Sequence, residues 1–204
     1  MDLYFLPLAC SMASRIALLE ADRTANFIEV DTFTKKTPDG GDFHTVNPLG
    51  LVPVLRTDDG RLLTENVAVL LYLERLRGGP ADDPDLHKWL GFISTELHGR
   101  VFSPIFDRTA PAEVKRFAIE KAARRLLYAD RHLEGREHLL DRFTVADAYL
   151  LTVLNWTQAT PVDLAPYPNL RHYLAQGRER PSVKRSIEEE LPLYLAEQRR
   201  ARKA

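Results

Sequence analysis

The run Gly78-Gly79-Pro80-Ala81-Asp82-Asp83-Pro84 divides the sequence into two parts with different hydrophobic periods. Glycine and proline at this density interrupt both helix and strand, so the run reads as a linker, assigned to residues 79–85. Before it, short strand-like segments alternate with helical ones. After it, strand signals cease and only helical spacing remains. The sequence therefore predicts an α/β domain over residues 1–78 and an all-helical domain over residues 86–204.

In the first part, Asp2 to Leu6 is short, aromatic-rich and stopped by Pro7, as a strand would be. Ser11 onward (SMASRIALLEAD) reads as a helix, and Phe27 to Asp31 as a second strand. Thr32 to Asn47 is polar and interrupted by Pro38, Gly40 and Gly41, which predicts an irregular connection with a short helix. Val52 to Arg56 is a third strand, Asp58-Asp59-Gly60 a hairpin turn, Arg61 to Leu63 a fourth strand, and Glu65 to Arg77 a helix. Two strands joined through a helix imply a parallel pair, and the Asp-Gly turn an antiparallel one. A mixed four-stranded sheet with helices follows.

In the second part, Leu86, Trp89, Leu90, Ile93, Leu97 and Val101 trace one helical face. Val114, Phe117, Ala118, Ala122 and Leu126 trace another. Val145 to Trp156 is apolar nearly all round and predicts a helix buried inside its domain. Thr144-Val145-Ala146-Asp147 before it has capping-box spacing. Pro166 to Pro181 and Ser182 to Leu191 give two further short helices.

Composition removes several classes of function. A net charge of −1 and a pI near 6.6 offer no basic surplus for a nucleic acid. The locally basic run from Glu197 to Lys203 reads as a solvated, frayed helix end. Cys10 stands alone among 204 residues, so an intramolecular disulfide is impossible and a cysteine-based zinc site is excluded. No basic stretch precedes an apolar run at the N-terminus, and no apolar run is long enough to span a bilayer. A cytoplasmic location is expected, where a lone thiol stays reduced.

Cys10 follows a strand and loop and opens a helix, where free N–H groups and the helix dipole favour a thiolate. The same position suits a small buried apolar residue, and position alone leaves both readings open. Without a second cysteine three residues on, a dithiol oxidoreductase is unlike this chain. Ser11 either donates its hydroxyl to a bound sulfur or caps the helix. Val52-Pro53, after Asn47-Pro48-Leu49-Gly50, suggests a fixed turn that presents the Val52 backbone to an extended peptide. Asn66 opens a helix, where it can hold a carboxylate, and Glu65 beside it can pair with an ammonium group. His98 lies close to the apolar face of its helix; His87, His132 and His138 read as solvated.

Together these segments resemble the cytosolic glutathione transferases, and among them the bacterial beta class. The resemblance rests on LYFLPLACSMASRIAL at 3–18, NPLGLVPVL at 47–55, LLTENVAVLLYL at 62–73 and RFTVADAYLLTVLNW at 142–156, in order and on both sides of the linker. It implies a thioredoxin-like N-terminal domain, an all-helical C-terminal domain, and a cytoplasmic homodimer that detoxifies electrophiles. It also implies residue roles. Cys10 contacts the glutathione sulfur and can form a mixed disulfide with it, and Ser11 neighbours that sulfur. Val52, before a cis Pro53, pairs with the cysteinyl part. Glu65 and Asn66 hold the γ-glutamyl end, and Lys35 the glycyl carboxylate. His98 approaches the thiol. Asn66 departs from the usual serine, and Leu8 and Ser14 from glycine and proline, which predicts a differently shaped loop at Leu8. Arg15, five residues after Cys10, resembles the zeta class, though the remainder fits beta.

The expected function is a glutathione transferase that takes glutathione as co-substrate and joins it to a small hydrophobic electrophile, or uses it to reduce one. The electrophile is expected against Phe102 and Phe106. Two alternatives are thiol–disulfide exchange through Cys10 and a non-catalytic binding module on the same fold.

Overall fold

The computed structural model describes residues 1–201. They form two compact units, one of Met1–Ala81 with Arg180 onward, the other of Asp82–Glu179. In chain order the first unit supplies β1 (Asp2–Phe5), α1 (Ser11–Glu20), β2 (Asn26–Glu29), a 3-10 turn (Phe43–Thr45), β3 (Val54–Arg56), β4 (Leu62–Leu63) and α2 (Asn66–Leu76). The second supplies α3 (Pro84–Phe92), a π-helical stretch (Ile93–Phe102), α4 (Ser103–Phe106), α5 (Ala112–His132), α6 (Val145–Asn155), a second 3-10 turn (Trp156–Ala159) and α7 (Pro168–Glu179). Helix α8 (Pro181–Ala201) comes last among the described residues and groups with the first unit, although the sequence suggested a short helix within the second.

The four strands lie in the order β2-β1-β3-β4. β1 and β2 run parallel, and the other pairs antiparallel, as the connections predict. Leu3 faces Leu55 across one pair and Tyr4 faces Val54 in the next, so alternation sends them to opposite sides of the sheet. Tyr4 and Val54 form a small core with Val30 and Phe43. Leu3, Phe5 and Leu55 are buried, as are Met12 and Ile16 of α1 and Val69, Leu70 and Leu73 of α2. Burying each such leucine contributes about 2 kcal/mol.

Charges hold α8 to this unit. Arg15 Nε and Nη1 reach Glu190 and Glu189 at 2.7 and 2.6 Å. Arg180 pairs with Glu20 at 2.6 Å, and Arg200 lies 3.4 Å from Glu29. Thr32 donates to Glu197. Arg200 is thus tied to the sheet side rather than fraying freely; Arg202 and Lys203 lie outside the described residues.

In the second unit all eleven residues of α6 are buried. Its start is a capping box: Ala146 N–H donates to Thr144 Oγ1 (3.3 Å), and Thr144 N–H to Asp147 Oδ2 (2.9 Å). Asp147 also accepts from Leu139 N–H (2.8 Å) and the Tyr173 hydroxyl (2.9 Å). On α5 the buried side is Ala118, Ala122, Leu126 and Ala129, while Val114 and Phe117 are exposed, which shifts the predicted face. Small alanines let a helix approach closely, and the larger residues are left outside. Among the described residues no helix is long and apolar enough to cross a membrane.

Candidate functional site

Three chain segments of the first unit converge at the N-terminal end of α1. The Cys10 thiol donates to the Val52 carbonyl at 3.3 Å, tying the helix start to the turn before β3. The Val52–Pro53 peptide in that turn is cis. The Ser14 hydroxyl, one turn along α1, donates to Asn66 Oδ1 at 3.2 Å, tying α1 to the start of α2. Asn66 is buried, and its Nδ2 has no hydrogen-bond partner among the described residues. A buried amide donor left in this state costs roughly 1–3 kcal/mol, which a ligand oxygen would recover.

Backbone conformation marks the same place. Among the described residues, Leu8, Asp22, Lys35 and Glu65 are the non-glycine positions with positive φ. Three of these, Leu8 (57°), Lys35 (54°) and Glu65 (65°), adjoin the segments just described or belong to the predicted set. Such conformations cost of order 1–3 kcal/mol each and gather where geometry serves a site. Glu65, at the N-cap of α2, is exposed, with its carboxylate available to solvent. Lys35 runs beside the Gly50 turn: a methyl on Gly50 would lie 3.7 Å from Lys35 Cδ and 3.0 Å from His44 Nε2. Cys10, Val52, Pro53, Glu65, Asn66 and Lys35 therefore all lie in one unit.

Two readings that the sequence left open are narrowed. Burial favours the protonated Cys10, pushing its thiol up to about 12, against the lowering effect of the Cys10 and Ser11 backbone N–H groups. Desolvation outweighs the helix end here. Ser11 neither caps α1 nor faces outward. It is fully buried, and its hydroxyl accepts from Leu6 N–H and donates to Leu6 C=O, each at 3.2 Å. Its role is to fold the Leu6–Cys10 loop back on itself.

His98 belongs to the second unit. Its Nδ1 lies 2.7 Å from the Tyr149 hydroxyl, and its ring packs against Trp156 with centroids 4.9 Å apart. Burial lowers its pKa from 6.5 to about 4, so the ring is neutral. The π winding explains its inward aim. A π turn closes one residue later than an α turn, so positions five apart, Ile93 and His98 or Leu97 and Phe102, share a face. Phe102 is wholly buried and serves the core; Phe106 is exposed, so the predicted aromatic pair divides its roles. His132, expected to be solvated, packs at a tilt against Trp89 with centroids 4.4 Å apart, and its Nε2 lies 2.8 Å from Leu139 C=O.

The residue that sequence reasoning missed is Glu190. Its side chain is wholly buried, bonded to Arg15 and to Leu8 N–H, the latter at 2.7 Å. No local motif marks it, because its partners lie far away in the chain.

Comparison with known proteins gives one consistent picture. Residues 9–76 match the family model of the glutathione S-transferase N-terminal domain, and residues 92–181 that of the C-terminal domain. Glutathione S-transferase GstA of Escherichia coli O157:H7 is 37% identical over 200 residues, covering 93% of this chain and 98% of that protein. A solved ternary complex of BphK, a bacterial GST, superposes with a TM-score of 0.88 at 38% identity, covering 93% of this chain and 99% of the other. A sphingomonad glutathione S-transferase complexed with glutathione gives 0.86 at 36%, covering 93% and 98%.

Proposed function

The chain belongs to the glutathione S-transferase family, and we propose that it binds reduced glutathione and joins it through its sulfur to small hydrophobic electrophiles, or uses it to reduce them. The observation that carries this reading is the buried Asn66 amide, an unused donor beside the exposed Glu65 carboxylate at the start of α2. Those two groups suit an amino acid end: the amide donates to a carboxylate and Glu65 pairs with an ammonium. The Val52 backbone before Pro53 pairs with the peptide as an added strand would. Lys35 reaches the far carboxylate. The likeness to a relative solved with glutathione supports the same ligand.

The raised pKa of Cys10 and its bond to the Val52 carbonyl support a donor's part for it in the reaction. A thiol held near 12 stays protonated, so it acts as a donor and not as a competing nucleophile. With glutathione bound, its thiol gives up its proton to solvent, and the Cys10 S–H turns from the Val52 carbonyl to the incoming sulfur and stabilises it as a thiolate. That lone pair then attacks the electrophilic carbon, and the leaving group departs with the bond pair. This favours conjugation over exchange through Cys10, which needs the Cys10 thiolate. We assign His98 a structural role within its own unit.

The protein is further proposed to be a homodimer working in a reducing compartment such as the cytoplasm. In support, a groove of about 800 Å³ on the second unit is lined by Phe92 and Tyr128 among charges of both signs, including Glu96, Arg100 and Arg124. Mixed charges around an apolar strip suit a self-complementary surface.

Calorimetric titration with reduced glutathione tests the reading, beside a Glu65→Ala variant. Wild-type binding that weakens about tenfold or more in the variant is expected, since a charge-assisted bond contributes about 1.5–3 kcal/mol. No heat with the wild type would overturn it. Turnover of 1-chloro-2,4-dinitrobenzene by Cys10→Ala separates the two chemistries: conjugation that is weakened about tenfold but persists supports the donor role, undiminished conjugation overturns it, and a glutathione adduct on wild-type Cys10 essential for turnover supports exchange.

A further inference from the structure

We propose that Glu190 of α8 is a positioning residue, holding the Leu6–Cys10 loop in the shape that sets the Cys10 sulfur against Val52. The loop is held at its start by the Ser11 hydroxyl on Leu6 and by the Ala9 N–H bond to Leu6 C=O, and Glu190 adds a bond at its middle, from a helix distant in the chain. Leu8 has a φ of 57°, a left-handed conformation that a branched side chain disfavours. Glu190 Oε2 accepts the Leu8 N–H at 2.7 Å, while Oε1 accepts from Arg15 Nε at 2.7 Å. Arg15 is itself confined, its guanidinium carbon 3.7 Å from the Phe27 ring centroid and 4.7 Å from that of Phe5. The carboxylate is thus anchored on α1 by one oxygen and grips the loop with the other.

The grip is not a natural way to gain stability. Burial pushes the Glu190 carboxyl up to about 7, with Arg15 and the Leu8 N–H drawing it back. Replacing a buried ion pair by apolar side chains of similar volume is often neutral or stabilising. What apolar groups cannot supply is an acceptor for an amide two residues before Cys10. The negative charge also helps keep the Cys10 thiol protonated, as does that of Glu65. Glu190 is therefore linked to the sulfur through the loop, by the acceptor it offers Leu8.

This inference rests on the transferase reading for its consequence, but the first measurement does not depend on it. Cys10 is the only cysteine, so its alkylation by iodoacetamide reports the loop directly. The double variant Arg15→Met/Glu190→Leu removes the acceptor without leaving an unpaired buried charge, and methionine fills the aromatic cleft. Glu190→Gln keeps an acceptor for Leu8. Melting and circular dichroism confirm that each variant is folded. The double variant should alkylate about tenfold faster or more, and its KM for glutathione should rise by a similar factor with a smaller change in kcat. Glu190→Gln should stay within about threefold of wild type in both. A folded double variant with wild-type alkylation overturns the proposal. So does a Glu190→Gln variant altered as far as the double variant. If wild type fails to bind glutathione while alkylation responds as expected, the transferase reading falls and the positioning role stands.

Discussion

At the scale of single residues, burial decides chemistry that sequence position leaves open. Cys10 sits where a helix end would lower a thiol pKa, yet the lost hydration dominates and the thiol stays protonated. His98 shows the same rule for a base. Its folded-state value of about 4 lies below the ordinary 6.5, so the unfolded chain binds more protons between these limits. The resulting stabilisation is fully present above pH 6.5 and is lost as pH falls through about 4. Thermal melts at pH 7 and pH 4.5 should therefore show an acid-induced drop in wild type that is smaller in His98→Gln, which keeps a polar partner for Tyr149. Equal drops in the two proteins would mean that other groups carry the acid sensitivity.

At the scale of elements, the start of α6 concentrates the most bonds on one side chain. Asp147 closes the capping box and ties in Leu139 and Tyr173 besides. Thr144→Ala should lower stability by about 1 kcal/mol, the usual cost of a lost cap. Asp147→Ala should cost about 3 kcal/mol, because several buried donors lose their acceptor together. Denaturant unfolding of the two variants checks the order, and a larger loss from Thr144→Ala would refute it. The capping box was legible in four consecutive residues because its bonds are local. The π winding over Ile93–Phe102 was not, since α and π turns make similar use of residues four apart. His98 was accordingly read beside the apolar face rather than on it.

At the scale of the whole molecule, the last helix joins the first unit, so the chain returns to the sheet with which it began. That return depends on pairs such as Arg15–Glu190 and Arg180–Glu20, each linking residues more than a hundred positions apart. The proposed assembly is open to a direct test. Tyr128, half exposed beside Phe92, carries part of the apolar strip in the groove of the second unit. Light scattering should give a dimer mass for wild type and a monomer mass for Tyr128→Glu, because a buried unpaired carboxylate costs several kcal/mol at an interface. A dimeric variant would place the contact elsewhere.

The sequence by itself determined the strands and principal helices, the mixed sheet, the change to purely helical signals after the linker, and the motif segments at 3–18, 47–55 and 62–73. These follow from local preferences: hydrophobic period, turn residues and caps act over a few positions. Tertiary structure alone decided that Cys10 is a protonated donor to Val52, that Ser11 turns inward, that Asn66 keeps an unused amide, and that Glu190 grips the loop before the sulfur. Each depends on desolvation or on a partner distant in sequence, and neither quantity exists until the chain has packed.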